Sequence, residues 1–241
     1  MIGRSAAFLA AFLIAAPALA GPPYETDDPE PTEFRHWEIY NFVTLDGRGA
    51  EYEGTAGFDF NYGAAKGLQL TATLPLAFER TPRGIAHLGA GDLELGAKYR
   101  FIDDEEDGWQ AAVFPRVIMP TAAHDLGGRH ARLLLPLWVQ KDMGSTSVFG
   151  GGGYEINPGR GNRDFWQVGI AVTQDFSTST ALGAEVAWQS RDTQDGTSST
   201  GVNVGLIQKL GGPYSLLLAA GPSFSGGDTS YHGYAALSLN F

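Results

Sequence analysis

The strongest constraint in this 241-residue sequence is a two-residue period that runs from residue 34 to the last residue. Between Glu51 and Tyr62 one parity reads Tyr52, Gly54, Ala56, Phe58, Phe60, Tyr62, and the other reads Glu51, Glu53, Thr55, Gly57, Asp59, Asn61. Leu68, Leu70, Ala72, Leu74, Leu76 and Phe78 then alternate with Gln69, Thr71, Thr73, Pro75 and Ala77. Leu93, Leu95, Ala97, Tyr99 and Phe101 alternate with Asp92, Glu94, Gly96, Lys98 and Arg100. Side chains of a strand point to opposite faces in turn, so each run has one apolar face and one polar or small face.

Twelve such runs occur, at 34–44, 51–62, 68–78, 92–101, 109–119, 131–140, 146–156, 164–174, 179–190, 200–210, 214–224 and 231–241. Each is about 10–11 residues, the length a tilted strand needs to cross a bilayer. Strands of soluble sandwiches are mostly shorter, with a mode of about 5–6 residues. The connections alternate too. Short turns at Gly63–Lys66, Asp103–Gly108, Lys141–Ser145, Asp175–Thr178 and Gly211–Pro213 take turns with longer polar stretches such as Glu79–Ala90, Pro120–His130 and Arg191–Ser199. Hydrocarbon cannot hydrogen-bond an exposed backbone, so a sheet in a membrane must close and abolish its edges. The fold class predicted is all-β: an antiparallel up-and-down transmembrane β-barrel of about twelve strands over residues 34–241, greasy outside and polar inside. Short periplasmic turns, long outer loops and an even strand count are the pattern of barrels in a Gram-negative outer membrane. Aromatic residues gather at strand ends, Tyr62, Tyr99, Trp109 and Tyr214 toward the short turns and Tyr154, Trp166, Trp188 and Tyr231 toward the long loops, as membrane interfaces favour.

The N-terminus is different material. Arg4 precedes the apolar run Ala6–Ala16, then Pro17 and the small-residue site Ala18-Leu19-Ala20. That order predicts a cleavable signal peptide over residues 1–20, since the apolar run is short for a membrane-spanning helix. Residues 21–33 carry Pro22, Pro23, Pro29 and Pro31 among Glu25, Asp27, Asp28, Glu30 and Glu33. Proline lacks the amide donor and the carboxylates favour water, so the segment reads as an extended periplasmic lead. Folding back to plug the lumen is the alternative.

Composition narrows the chemistry. There is no cysteine, which excludes disulfides, thiolate metal sites and a thiol nucleophile. A net charge of −11 argues against a nucleic-acid partner. Gly89-Ala90-Gly91-Asp92 lacks the third glycine of a dinucleotide fingerprint and opens no helix. Gly150–Gly153 falls inside a strand, where glycine marks a bend or close packing against a large neighbour. No H-x-x-H metal spacing occurs, and no cofactor is expected. A membrane phospholipase would need Ser, His and an amide together on the lipid face, whereas Ser147, His232 and Asn240 fall on inward parities of different strands. His124-Asp125 in a long outer loop is the remaining pairing for a hydrolase, and no catalytic assignment is made.

The sharpest candidates are inward charges. Asp92, Glu94, Lys98 and Arg100 share one parity of one strand, and Arg116, Arg132, Gln167, Glu185 and Lys209 take inward positions on others. Such a row either lines a pore or closes it with salt bridges. The last strand alternates Gly233, Ala235, Leu237 and Leu239 and ends at Phe241, which looks like the C-terminal signal read by the barrel-assembly machinery.

Several segments resemble an outer-membrane family named after a phenol meta-pathway protein. They are Pro22–Glu30, His36-Trp37-Glu38, Asn61-Tyr62-Gly63, and above all Gly91-Asp92-Leu93-Glu94-Leu95-Gly96-Ala97-Lys98-Tyr99-Arg100-Phe101. Pro120-Thr121, Gly150–Tyr154 and Asn157-Pro158-Gly159 fit as well. The resemblance spans nearly all of the chain after the signal peptide and implies an outer-membrane transporter. The expected function is passive passage of small molecules, hydrophobic or aromatic ones among them, with outer-membrane lipids as the surroundings. A closed-lumen barrel acting through its outer loops is the second expectation.

Overall fold

A computed structural model describes residues 23–81, 84, 86–123 and 126–241. The predicted signal peptide, residues 1–20, lies outside the described residues, as do His124 and Asp125. Every regular element described is a strand: β1 Trp37–Arg48, β2 Glu51–Ala65, β3 Leu68–Arg80, β4 Ala86–Ala90, β5 Leu93–Asp104, β6 Trp109–Val113 and β7 Arg116–Met119. The second half holds β8 Arg132–Met143, β9 Thr146–Ile156, β10 Phe165–Asp175, β11 Thr180–Gln189, β12 Ser199–Gly211, β13 Tyr214–Ser225 and β14 Asp228–Asn240.

Neighbours in sequence pair antiparallel, and β1 pairs with β14 from Glu38↔Asn240 to Gly47↔Tyr231, so the sheet closes. Trp37 and Phe241 complete the seam by exchanging backbone hydrogen bonds of 2.7 and 3.0 Å. Two staves of the wall are each broken in the middle. β4 and β5 both pair with β3 and are parted at Gly91-Asp92. β6 and β7 both pair with β5 and β8 and are parted at Phe114-Pro115, where proline has no amide to give the ladder. Counting each broken pair once leaves the twelve expected staves.

The parity sets the two faces. On β10, Ile170 is 57% exposed on the outside while its neighbour Ala171 is 2% exposed on the inside. Leu74, Leu76, Leu137, Val168, Val204 and Leu237 continue the outer apolar surface around the barrel. Water-soluble monomers rarely show an apolar patch above about 600 Å². A band that encircles the whole molecule calls for hydrocarbon around it. The aromatic residues sit at its rims, with Trp37 against Tyr62 at 4.8 Å and Tyr154 against Trp166 at 4.9 Å between ring centres.

Three expectations need correction. The first strand starts at Trp37, not residue 34, because Glu33–His36 form a tight turn: the Arg35 N–H donates to the Gly63 carbonyl at 2.7 Å, and Arg35 takes a left-handed φ of 68°. Part of the expected outer loop 79–90 is strand, since β4 extends the hairpin with Leu76–Arg80. The third concerns residues 23–33. They do not trail into the periplasm but run inside the barrel, with Pro23, Tyr24, Thr26, Asp28, Pro29 and Thr32 buried. The lumen accommodates them by being less polar than parity suggests: Phe149, Trp138, Leu134, Ile207 and Leu217 all point inward and are buried.

Candidate functional site

The site is the lumen together with the segment that fills its lower half. From the turn at Glu33–His36, beside the short-turn end of β2, the chain climbs inside the wall. Gly63 has no Cβ because one would overlap the Glu33 carbonyl, so the motif Asn61-Tyr62-Gly63 is where the segment enters. Next, Thr32 donates from N–H and Oγ1 to Gln69 Oε1 at 2.8 and 3.0 Å. Gln69 in turn donates to Asn61 Oδ1 at 2.7 Å, and Asn61 to Asp59 Oδ2 at 3.2 Å.

Beside Gln69, its cross-strand partner Lys98 reaches in from β5. Its Nζ donates to Asp27 Oδ1 at 3.0 Å and to the Glu30 carbonyl at 3.3 Å, and it lies 3.7 Å from Asp28. Arg100, one pleat below, is held by Gln110 at 2.6 Å and Asp103 at 2.8 Å. At mid-height Glu185, 2% exposed, accepts the Glu25 N–H at 3.0 Å, the Thr26 N–H at 2.9 Å and the Asn203 amide at 2.9 Å. A buried carboxylate with three donors is satisfied, and it fixes the top of the segment. Tyr24 then folds against Phe149, ring centres 6.0 Å apart, over the inward glycines 183 and 205. A Cβ at Gly205 would lie 2.7 Å from the Tyr24 ring.

Burial governs the ionisation of the segment. It pushes the Tyr24 phenol up, with the Glu185 carboxylate adding to the effect. It also pushes the Asp28 carboxyl well above its ordinary range, opposed by Lys98. Glu30 rises to about 7 from the same cause, opposed next by its hydrogen bond from Gln110.

Above the segment lies an outer vestibule of about 550 Å³. Glu94–Arg116 at 3.3 Å and Glu155–Arg132 at 2.9 Å stand on its wall, and Gln167 donates to Glu155 at 3.4 Å. Leu134, Ile118, Trp138 and Ala187 supply apolar wall. Asp92 is the fastening of the outer rim: it accepts the Ala122 N–H at 3.1 Å and the Gly128 N–H at 2.7 Å, with Arg132 3.7 Å away. Thr121 bridges the same strand break, accepting from the Leu93 N–H at 2.8 Å and donating to the Gly91 carbonyl at 3.2 Å. Thus Gly91-Asp92 and Pro120-Thr121, far apart in the chain, meet at the outer rim. Gly151 and Gly153 pack under Trp138 and Pro136, as expected for glycines inside a strand.

Of the inward candidates, Asp92, Glu94, Arg116, Arg132 and Gln167 share the vestibule, while Lys98 and Glu185 hold the segment. Lys209 stands apart near the short turn after β12. Ser147 and His232, weighed for a phospholipase, do not come together: Ser147 donates to Asp142 at 2.6 Å, while His232, five strands away, pairs with Asp46 at 3.0 Å. The His124-Asp125 pairing lies outside the described residues. The residues that sequence reasoning missed are those of the segment itself and their wall partners Asp59, Asn61 and Gln69. Their signal was the run of prolines and carboxylates in a stretch otherwise without periodicity.

Structural neighbours are outer-membrane barrels. An outer membrane channel from Pseudomonas putida F1 superposes over 89% of this chain and 98% of its own, with a TM-score of 0.73 at 12% identity. The NanC porin matches over 84% and 98%, with a TM-score of 0.62 at 10% identity. The KdgM porin in complex with disordered oligogalacturonate matches over 85% and 99%, with a TM-score of 0.59 at 9% identity. These neighbours are channels and porins, and what this chain shares with them is the fold. No family model and no curated protein matches the sequence, so the resemblance to the phenol meta-pathway family gains no support from either.

Proposed function

We propose that this chain is an outer-membrane channel for passive passage of small molecules, constricted by its own N-terminal segment. The observation that carries the reading is a closed barrel, apolar outside, whose lumen keeps an outer vestibule of about 550 Å³ above a crevice beside the segment. The likeness to channels and porins supports it. The vestibule offers an apolar wall at Trp138, Leu134 and Ile118 opposite charged pairs, which suits a small amphipathic or aromatic solute as the family resemblance implies. Asp92, Glu94, Arg116, Arg132 and Gln167 are the wall residues such a solute would pass. Residues 1–20 serve as the signal peptide for export, and the last strand with Phe241 as the recognition end for the barrel-assembly machinery. The test is swelling of liposomes carrying the purified chain, comparing a phenolic solute with a sugar of similar size. Faster entry of the phenol is expected; no entry of either would contradict a channel.

The second reading, a closed barrel acting through its outer loops, is favoured by one observation: the segment is bonded to the wall at Gln69, Lys98 and Glu185. Loss of surface binding on loop deletion, with permeability unchanged, would establish it.

A further inference from the structure

We propose that passage through this barrel selects for cations over anions, and that the luminal segment supplies most of the selecting charge. The inference rests on the channel reading and adds the class of solute: neutral molecules and cations such as organic ammonium ions, with carboxylates disfavoured.

A crevice of about 150 Å³ runs between the segment and the wall. The segment lends it Glu25, Asp27, Asp28 and Glu30. The wall adds Glu38, Asp59 and Glu94. Against these seven carboxylates stand two cations, Lys98 and Arg116, and both are engaged: Lys98 between Asp27 and Asp28, Arg116 on Glu94. Asp28 is completely buried, yet its Oδ2 faces no hydrogen-bond donor, although Asp28 lines the crevice. A buried carboxylate oxygen without a donor is costly unless a cation or proton visits it. Among the described residues no three acidic or histidine groups are arranged as metal ligands. Protons on the most buried carboxyls take up part of the excess, and cations in transit answer the rest.

The vestibule above continues the same sign. Its four carboxylates, Glu25, Asp92, Glu94 and Glu155, face two arginines, each already paired. A narrow path with one sign of charge and low-dielectric walls focuses the field, concentrating counter-ions and excluding co-ions.

The experiment is the reversal potential of the full chain in planar bilayers under a potassium chloride gradient. We expect potassium to permeate ahead of chloride by at least about threefold. Read at about pH 8.5, above the raised Glu30 carboxyl, the double variant Asp27→Asn, Glu30→Gln keeps the side-chain shapes and one acceptor oxygen in each, and it should bring the ratio down toward unity. Heat-modifiable migration on gels would show that it folds. Equal permeation or chloride preference in the unmodified chain would overturn the inference while leaving a channel. A cation preference untouched by the double variant would overturn the role assigned to the segment. A silent bilayer would overturn the channel reading and this inference with it.

Discussion

Glycine at position 205 is decided by Tyr24, 181 residues earlier in the chain. The inward side chain there is missing because the phenol ring of the segment occupies its place, and Gly183 on the next strand makes room for the phenol oxygen. Gly205→Val should force the ring out at an overpacking cost of about 1–3 kcal/mol. Single-channel recordings should then show larger or longer openings than the unmodified chain, with the barrel still folded; unchanged openings would mean the ring does not seat the segment. Glu30 gives the matching pH dependence. Its carboxyl is raised from 4.5 to about 7, with Asp142 adding to burial and Gln110, Arg100 and Lys98 opposing. The docked segment thus holds a proton that the released segment gives up. Docking is firmest below about pH 4.5, weakens through the window up to about 7 and levels off above it. Open probability should rise between about pH 5 and 8; a fall across that window would contradict the assignment. Neither residue was legible in the sequence. Parity says that Gly205 points inward, but not what it faces, and the proline-rich acidic stretch has no period from which burial could be read.

At the scale of elements, the strands were legible because lipid on one side makes nearly every second residue apolar through twelve crossings, with Asn41 on β1 an outward polar exception. The ladder from Leu68 to Phe78 and the charged row from Asp92 to Arg100 point as their alternation demanded. Boundaries were less so. β1 continues to Arg48 because its pairing with β2 runs on to Glu51 beyond the apolar run. The break at Phe114-Pro115 is invisible to a period of two, since Val113 and Val117 keep one outward parity across it, whereas at Gly91-Asp92 the outward parity changes between Leu88 and Leu95. The break at Asp92 has a purpose that only the folded chain shows: its carboxylate fastens Ala122 and Gly128 of the outer segment at the rim of the vestibule. Asp92→Ala removes two charge-assisted bonds, together worth about 3 kcal/mol. Trypsin added from outside should then cut at Arg129 several times faster, on the order of tenfold, than in the unmodified chain. An unchanged cutting rate would show that the segment is held by other contacts.

At the scale of the whole molecule, two demands conflict and the segment resolves them. A twelve-stave barrel must close to satisfy its backbone in hydrocarbon, yet closing it leaves a lumen too wide for wall side chains alone to fill. Parts of the second half of the wall are correspondingly apolar inside, with Phe149, Ile207 and Leu217 packing beside polar groups such as Gln140, Glu185 and Asn203. The first half keeps Asp59, Asn61, Gln69 and Lys98 for the carboxylates and amides of the segment. The inside was only half legible for that reason: alternation fixes which side chains turn inward, while their chemistry answers to a chain segment lying among them.

The most direct test is single-channel conductance of the full chain against a variant lacking residues 23–33, each checked for the heat-modifiable folded form. A segment that constricts the path predicts conductance at least about threefold higher without it. Identical conductance from two properly folded barrels would contradict that.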